Sequence, residues 1–337
     1  MIIFSSSTAG SDRSSLENKV VRMSKGRIKI INLVDKIVEE ANKANPYITN
    51  SNLLNLDIDK IRHLKDDAVS KIVQITKNSR NDYIIDGRMS FWWRSGPVML
   101  LELDDIKRLN PDFIVSIVSG PKDVVRNLKK KKSWVDKNID EYEMAEWSEV
   151  EVYTSDLISQ IIKKKNYVIG AEENPKTLYD LIYHQEKPKA YLSFSMAHRK
   201  KDYRKLSSFL NRLRKYLVVF DPRSVSIAEY SDEDERLREK VYNQTVRRDF
   251  HFVDQSDLVI VYLNELVYSS GVDSERMHAY STGRRVLLYF PFEGPSPFTP
   301  YFVDKLFKNE GELLNEIKRL YEKGFTGGPA KGKSGRF

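Results

Sequence analysis

The chain has 337 residues, 40% of them hydrophobic and 31% charged, with 56 Lys and Arg against 48 Asp and Glu for a net charge of +8; this is room for about two domains of roughly 150 residues and excludes disorder throughout. The mild basic excess favours anionic ligands and permits nucleic acid without favouring it, while the lack of any cysteine excludes disulfides, thiolate metal sites and a Cys nucleophile. The five histidines have no metal-ligand spacing and no stretch of eighteen apolar residues occurs, so neither metal, cofactor nor membrane partner is expected.

The elements fall into two β/α series. Ile2 to Phe4 is a short buried-strand signal, too brief before Ser5 for a signal peptide, which gives a cytoplasmic location as the expectation. A polar loop, Ser5 to Ser15, leads to a helix over Leu16 to Met23, and β-branched clusters predict strands at Arg27 to Ile31, Tyr83 to Ile85 and Phe113 to Val118, with helices between them. This first domain is expected over residues 1–165. Residues 166–189, with a helix at Thr177 to His184, read as the linker. A second series then starts at Ala190 to Phe194 and continues with a helix at Lys201 to Leu213 and a strand at Leu217 to Phe220. A long helix from Asp232 to Asp254, a strand at Leu258 to Leu263, a helix ending near Gly283 and a strand at Val286 to Phe290 complete a domain over 190–323, and 324–337 reads as a flexible tail. Strands alternating with helices predict α/β architecture, two doubly wound parallel-sheet domains. Abundant Lys, Glu, Ile and Tyr without Cys is the tilt of heat-adapted proteins.

A small-residue loop between a first strand and a first helix offers backbone N–H groups to phosphate. If Arg13 and Ser14 occupy the Lys and Ser positions of a P-loop, the two motif glycines fall on Ser7 and Asp12. Ser7, Arg13 and Ser14 are the phosphate candidates here. Asp12, however, puts a carboxylate where backbone must approach phosphate, and Arg in place of Lys changes the donor geometry. With Asp86-Gly87-Arg88 after a strand and Leu109-Asn110-Pro111-Asp112-Phe113-Ile114-Val115, residues 1–165 resemble the archaeal type of adenylate kinase and its P-loop nucleotide-kinase relatives. That resemblance implies a lid at Lys129 to Glu146. The run Lys129 to Lys132 lacks the paired arginines that clamp a transferred phosphate, and it reads as a solvated helix end. The departures fall on catalytic parts, so the expectation is a degenerate nucleotide-binding domain, with an active nucleotide kinase using ATP and Mg²⁺ as the last of three readings.

The second series carries Tyr191-Leu192-Ser193, Asp221-Pro222, Asp249, Asp254-Gln255-Ser256-Asp257-Leu258-Val259-Ile260 and Gly271-Val272-Asp273-Ser274-Glu275, followed by Ala279-Tyr280, Gly283 and Val286. In these motifs it resembles the nucleoside 2-deoxyribosyltransferase family, which implies a flavodoxin-like sheet and cleavage of an N-glycosidic bond in a nucleoside or nucleotide. The resemblance implies Glu275 as nucleophile and Asp249 as the acid that handles a proton on the leaving base. It further implies substrate contacts from Tyr191, Ser193, Asp221, Ser269 and Gly271. Ser269 stands where the family often has an aspartate six residues before the nucleophile. A homo-oligomer is implied too, because the family often completes its pocket with a neighbouring subunit.

The placement has its own physical support. A carboxylate nucleophile must be ionised and aimed at the anomeric carbon, and a helix N-terminus stabilises an anion. Two carboxylates close together push their pKa values apart, so one can act as acid and the other as nucleophile. Ser193 to Lys201, with Arg199 in its basic run, is a further phosphate or ribose candidate. The resulting expectation is N-glycosidic cleavage or (deoxy)ribosyl transfer, with a non-catalytic nucleotide-sensing or nucleic-acid-associated module as the alternative.

Overall fold

A computed structural model describes the protein at all positions except 78, 95, 132–133, 135–138, 197–202, 227–233, 326 and 329–337. Two compact units emerge: the first takes Met1–Glu172 and Arg223–Gln244, the second Glu173–Pro222 and Thr245–Phe337. No described helix is long and apolar enough to cross a membrane.

In the first unit β1 (Ile2–Ser6), α1 (Arg13–Met23), β2 (Ile28–Asn32), α2 (Leu33–Asn42), α3 (Ile58–Lys77) and β3 (Asp82–Gly87) are followed by a hairpin, β4 (Ser90–Trp93) and β5 (Gly96–Met99). Then come α4 (Leu103–Leu109), β6 (Phe113–Val118), α5 (Pro121–Leu128), α6 (Glu141–Ile161) and β7 (Asn166–Gly170). The sheet runs β2-β3-β1-β6-β7 with every pairing parallel. All six residues of β6 and all five of β7 are buried, as expected for central strands covered on both faces. Ile31, Leu33, Ile61, Val69, Ile72, Ile85 and Ile114 lie in one apolar core. Helix α6 opens on a capping box in which Asp140 accepts from the Glu143 N–H at 2.8 Å and Glu143 from the Asp140 N–H at 3.0 Å.

In the second unit α7 (Pro175–Tyr183), β8 (Lys189–Ser193), α8 (Arg204–Leu213) and β9 (Val218–Phe220) precede α9 (Glu235–Asp254), within which the division between the units falls. Then β10 (Leu258–Tyr262), α10 (Ser270–Ser281), β11 (Arg285–Tyr289), α11 (Phe298–Tyr301), β12 (Lys305–Phe307) and α12 (Glu310–Glu322) complete the chain. Its sheet runs β12-β11-β10-β8-β9, all parallel. Counted in chain order this is 2-1-3-4-5, the flavodoxin-like arrangement.

Both doubly wound sheets are therefore present, but the division differs from the sequence expectation. Residues 166–189, read as a linker, contain β7, which pairs with β6 from Ile114↔Asn166 to Val118↔Gly170, and the helix α7. A five-residue buried strand cannot be told from a connector by periodicity alone. The segment Arg223–Gln244 groups with the first unit although it follows the start of the second series. At the C-terminus, Gly324 ends the last helical turn at φ +65°, and Phe325, expected in the tail, packs against the second core and under the Arg285 guanidinium at 4.5 Å.

Candidate functional sites

In the first unit the loop after β1 needs one glycine, Gly10. It has φ +86°, and a Cβ there would stand 2.7 Å from the Leu128 side chain and 2.8 Å from the Val124 carbonyl oxygen. Arg13, the first residue of α1, turns inward. Its guanidinium donates to the Ser5 carbonyl at 3.0 Å, to the Gly87 carbonyl and to Asp86 Oδ1, while Asp86 Oδ2 accepts from Asn32 Nδ2 at 3.0 Å. Burial holds the Arg13 guanidinium down at about 10, partly offset by Glu17, whose carboxylate lies 3.7 Å from Nε. Gly87 is needed for a close approach, since a Cβ would meet the Phe4 ring at 2.7 Å. A second buried clamp is Glu151 on α6, which accepts from Ser6 Oγ at 2.5 Å, from the Met89 and Ser90 N–H groups and from Ser90 Oγ at 2.7 Å. Burial raises the Glu151 carboxyl above its usual range, against those hydrogen bonds.

These clamps frame a cavity of about 260 Å³, whose walls include Ser14, Arg88, Lys131, Trp92, Trp134 and Trp147. The buried Nε of Arg88 has no hydrogen-bond partner. Trp134 stacks on Trp147 with centroids 6.0 Å apart, and Trp92 lies 6.1 Å from Trp147. Of the phosphate candidates, Arg13 and Ser14 line this cavity, with the Arg13 donors already engaged by protein. Ser7 is buried and accepts from Ser11 Oγ at 2.8 Å. Arg199 lies outside the described residues. Lys131, read from its run as part of a solvated helix end, instead reaches the cavity; α5 stops at Leu128 and the chain turns back.

In the second unit a buried carboxylate cluster forms at the carboxyl end of β8. Tyr191 Oη donates to Glu275 Oε1 at 3.0 Å and Ser193 Oγ donates to Glu275 Oε2. Asp249 accepts from Arg248 Nε at 3.1 Å and Nη2 at 3.0 Å. Burial, then the charge of Asp249, pushes the Glu275 carboxyl up to about 8, against the hydrogen bonds from Ser193 and Tyr191. Burial also raises Asp249, with Arg248 opposing, and lifts the Tyr191 phenol well above its usual value, with Glu275 and Asp249 adding. The cluster stands at the switch point of the sheet. Strand β8 continues to β9 on one side and its neighbour β10 to β11 on the other, the position where open α/β sheets bind ligands.

The helix context of Glu275 differs from the expectation. Helix α10 starts at Ser270, so Glu275 is its sixth residue and Asp273 is the acid of its first turn. The dipole contribution fades beyond the first turn, and burial governs the carboxyl instead. Ser269 is the N-cap, its hydroxyl accepting from the Val272 N–H at 3.4 Å, and Gly271 is the exposed second residue of the helix. Asp221 belongs to another buried group. Its N–H donates to Glu173 Oε2 at 3.1 Å and its carboxylate is 3.9 Å from Arg214, which also reaches Glu173 at 3.3 Å. Glu173 is pushed up to about 7 by burial and then by Asp221. Nothing in the spacing of Glu173 marks it, because its partners arrive from β9 and α8. No group of acidic or histidine side chains among the described residues could hold a metal ion.

A family model described as an AAA domain matches residues 8–143. The adenylate kinase of Pyrococcus horikoshii is 27% identical over 125 residues, 36% of this chain and 63% of the relative; the chain thus spans under two thirds of that kinase. Among solved structures, the deoxyadenosine kinase of M. mycoides is similar over 55% of this chain and 98% of its own, at 18% identity and a TM-score of 0.34. The 2-deoxyribosyltransferase of Bacillus psychrosaccharolyticus is similar over 38% of this chain and 90% of its own, at 18% identity and a TM-score of 0.31. The N-terminal part of the chain resembles P-loop kinases.

Proposed function

We propose that the second unit cleaves the N-glycosidic bond of a nucleoside or nucleotide, with Glu275 as nucleophile. One observation carries this reading: Glu275 is buried at the switch point of a flavodoxin-like sheet, each carboxylate oxygen held by a hydroxyl, Tyr191 on one and Ser193 on the other. A carboxylate fixed at both oxygens by β8 has its remaining lone pairs aimed in a set direction, which is what attack at an anomeric carbon needs. The bond from Glu275 to the anomeric carbon forms as the bond to the base nitrogen breaks. The electron pair leaves with the base, to which Asp249, its carboxyl raised above the ordinary range by burial, delivers a proton. Water or a sugar acceptor, deprotonated by the same Asp249, then attacks that carbon and frees the Glu275 carboxylate.

The sequence resemblance in Tyr191, Ser193, Asp249 and Glu275 supports the same reading. Asp221 and Gly271 are better read as structural, given the Glu173–Arg214 group around the first and the helical setting of the second. Incubating the full chain with a panel of nucleosides, nucleotides and deoxynucleotides, with chromatography for released base, tests the proposal. Release that falls by about 10³-fold or more in Glu275→Gln is the expected result, since this group carries the covalent step. Release unchanged in Glu275→Gln, or no release from any compound, overturns it, the second outcome leaving a binding module.

A further inference from the structure

Adjacent residues of a helix point their side chains about 100° apart and do not face one another. Arg248 and Asp249 of α9 meet nonetheless. The guanidinium sets Nε at 3.1 Å and Nη2 at 3.0 Å on the same oxygen, Asp249 Oδ1. This contact requires the arginine to fold back along the helix, and a seat holds it there. Its guanidinium carbon lies 6.0 Å from the centre of the Phe252 ring, one helical turn on, where a cation gains from an aromatic face. Phe252 is fully buried, stacked on Phe220 with planes 6° apart and packed on Tyr191 with centroids 5.9 Å apart. Tyr191 in turn donates to Glu275 Oε1. One ring therefore seats both the arginine that holds Asp249 and the tyrosine that holds Glu275.

The grip on Asp249 is one-sided. Both donors take Oδ1, and among the described residues Oδ2 has no hydrogen-bond partner. The Asp249 side chain keeps 11% of its surface exposed, so a ligand can reach it. Among the described residues, the charged and titratable groups that act within this cluster are Arg248 and Asp249 from α9, Tyr191 from β8 and Glu275 from α10. Arg248 is the cation among them. It opposes the effect of burial on Asp249, which it bonds, and to a lesser degree on Glu275. A lysine at this position would supply the charge but not two donors from a planar fork.

Resting on the reading of this site as an N-glycosidic centre, we infer that Arg248 is its positioning residue, locking Asp249 by Oδ1 and leaving Oδ2 for the proton exchanged with the leaving base. Arg248 acts through Asp249 and has no bond to Glu275.

Labelling the aspartate carboxyl carbons of the full chain with ¹³C and following them by NMR across pH reads this contact without turnover, the Asp249 signal being assigned by its loss in Asp249→Asn. In Arg248→Gln the Asp249 carboxyl should titrate higher by about one pH unit or more, the effect of losing its hydrogen bonds from a charged group. For base release, kcat should fall about tenfold with KM changed by less than about twofold, since the residue meets no substrate. The same substitution made in Asp249→Asn should change kcat by less than about twofold, because its route is already removed. Arg248→Lys keeps the charge and guards against a misfolded Arg248→Gln; its Asp249 should titrate within about half a pH unit of the wild type while kcat still falls about threefold or more.

An Asp249 carboxyl that does not move in Arg248→Gln overturns the inference, whatever the chain cleaves. A kcat loss as large in Asp249→Asn as in the wild type overturns it too, making Arg248 structural, and so does a fully active Arg248→Lys. A wild type that releases no base strikes the glycosidic reading instead; a shifted Asp249 titration in that case still supports Arg248 as the residue that fixes Asp249.

Discussion

The two sites invert one another electrostatically. The first unit surrounds its cavity with guanidinium and ammonium groups whose carboxylate neighbours are tied up, whereas the second buries carboxylates with one arginine, Arg248, beside Asp249. Both stand at the carboxyl ends of parallel strands, so the sheets provide the same platform and the side chains decide the chemistry. The lesson lies in what burial does to each sign of charge. It lowers the Arg13, Arg88 and Lys131 groups and raises Glu275, Asp249 and Glu151, pushing every group toward its neutral form.

Removing the committed pair in the first unit should have the largest effect. Asp86→Ala strips Arg13 of its buried partner, and breaking such a pair costs about 3–5 kcal/mol. Urea unfolding followed by tryptophan emission reads the first unit alone and should show that loss. A change under about 1 kcal/mol would mean that Arg13 finds water or another acceptor and that the clamp is dispensable.

In the second unit two substitutions should move the pH profile in opposite directions. Glu275 attacks only when ionised, so kcat/KM should rise with pH toward the Glu275 value of about 8. Asp249→Asn removes the negative charge that raises Glu275 and should shift that acid limb to lower pH, while reducing turnover by about 10²-fold through lost proton transfer. Tyr191→Phe removes a hydrogen bond that favours the ionised form, shifting the limb to higher pH with a loss nearer tenfold. Base release measured across pH in both variants checks the signs. Limbs that move together would place the rate-controlling ionisation elsewhere.

The smallest effect concerns stability. Glu275 titrates near 8 in the folded chain against an ordinary value of 4.5, so between these pH values the folded state holds a proton the unfolded state has released. Stability contributed at this site therefore falls as pH rises through that window. Glu275→Gln is neutral throughout, and its thermal midpoint should gain on the wild type between about pH 5 and pH 8 by a few degrees, on the order of 2–4 °C per kcal/mol. A gain that is the same at both ends would show that the carboxyl stays ionised.

Much of the architecture is legible without coordinates, because strand and helix periods are local. Phe113 to Val118 and Leu258 to Leu263 read as buried strands from their β-branched runs and are β6 and β10. Strand β7 escaped because Asn166 and Gly170 flank only three apolar residues in a stretch rich in Lys and Pro. The hairpin of β4 and β5 also lies outside the sequence reading, as do the tryptophans around the cavity, since Trp92, Trp134 and Trp147 converge only through packing.

The sequence by itself determined the two parallel doubly wound sheets, the loss of the P-loop glycines at Ser7 and Asp12, and the grouping of Tyr191, Ser193, Asp249 and Glu275 as residues of interest. Tertiary structure decided which charges are free. Arg13 stands at the P-loop Lys position yet is spent on Asp86, a residue 73 positions away, and Lys131, one lysine of four in a run, reaches the cavity that its neighbours' spacing does not mark. The physical reason is that helical and strand periods depend on neighbours in the chain, whereas the protonation and pairing of a buried charge depend on desolvation and on partners brought from distant strands.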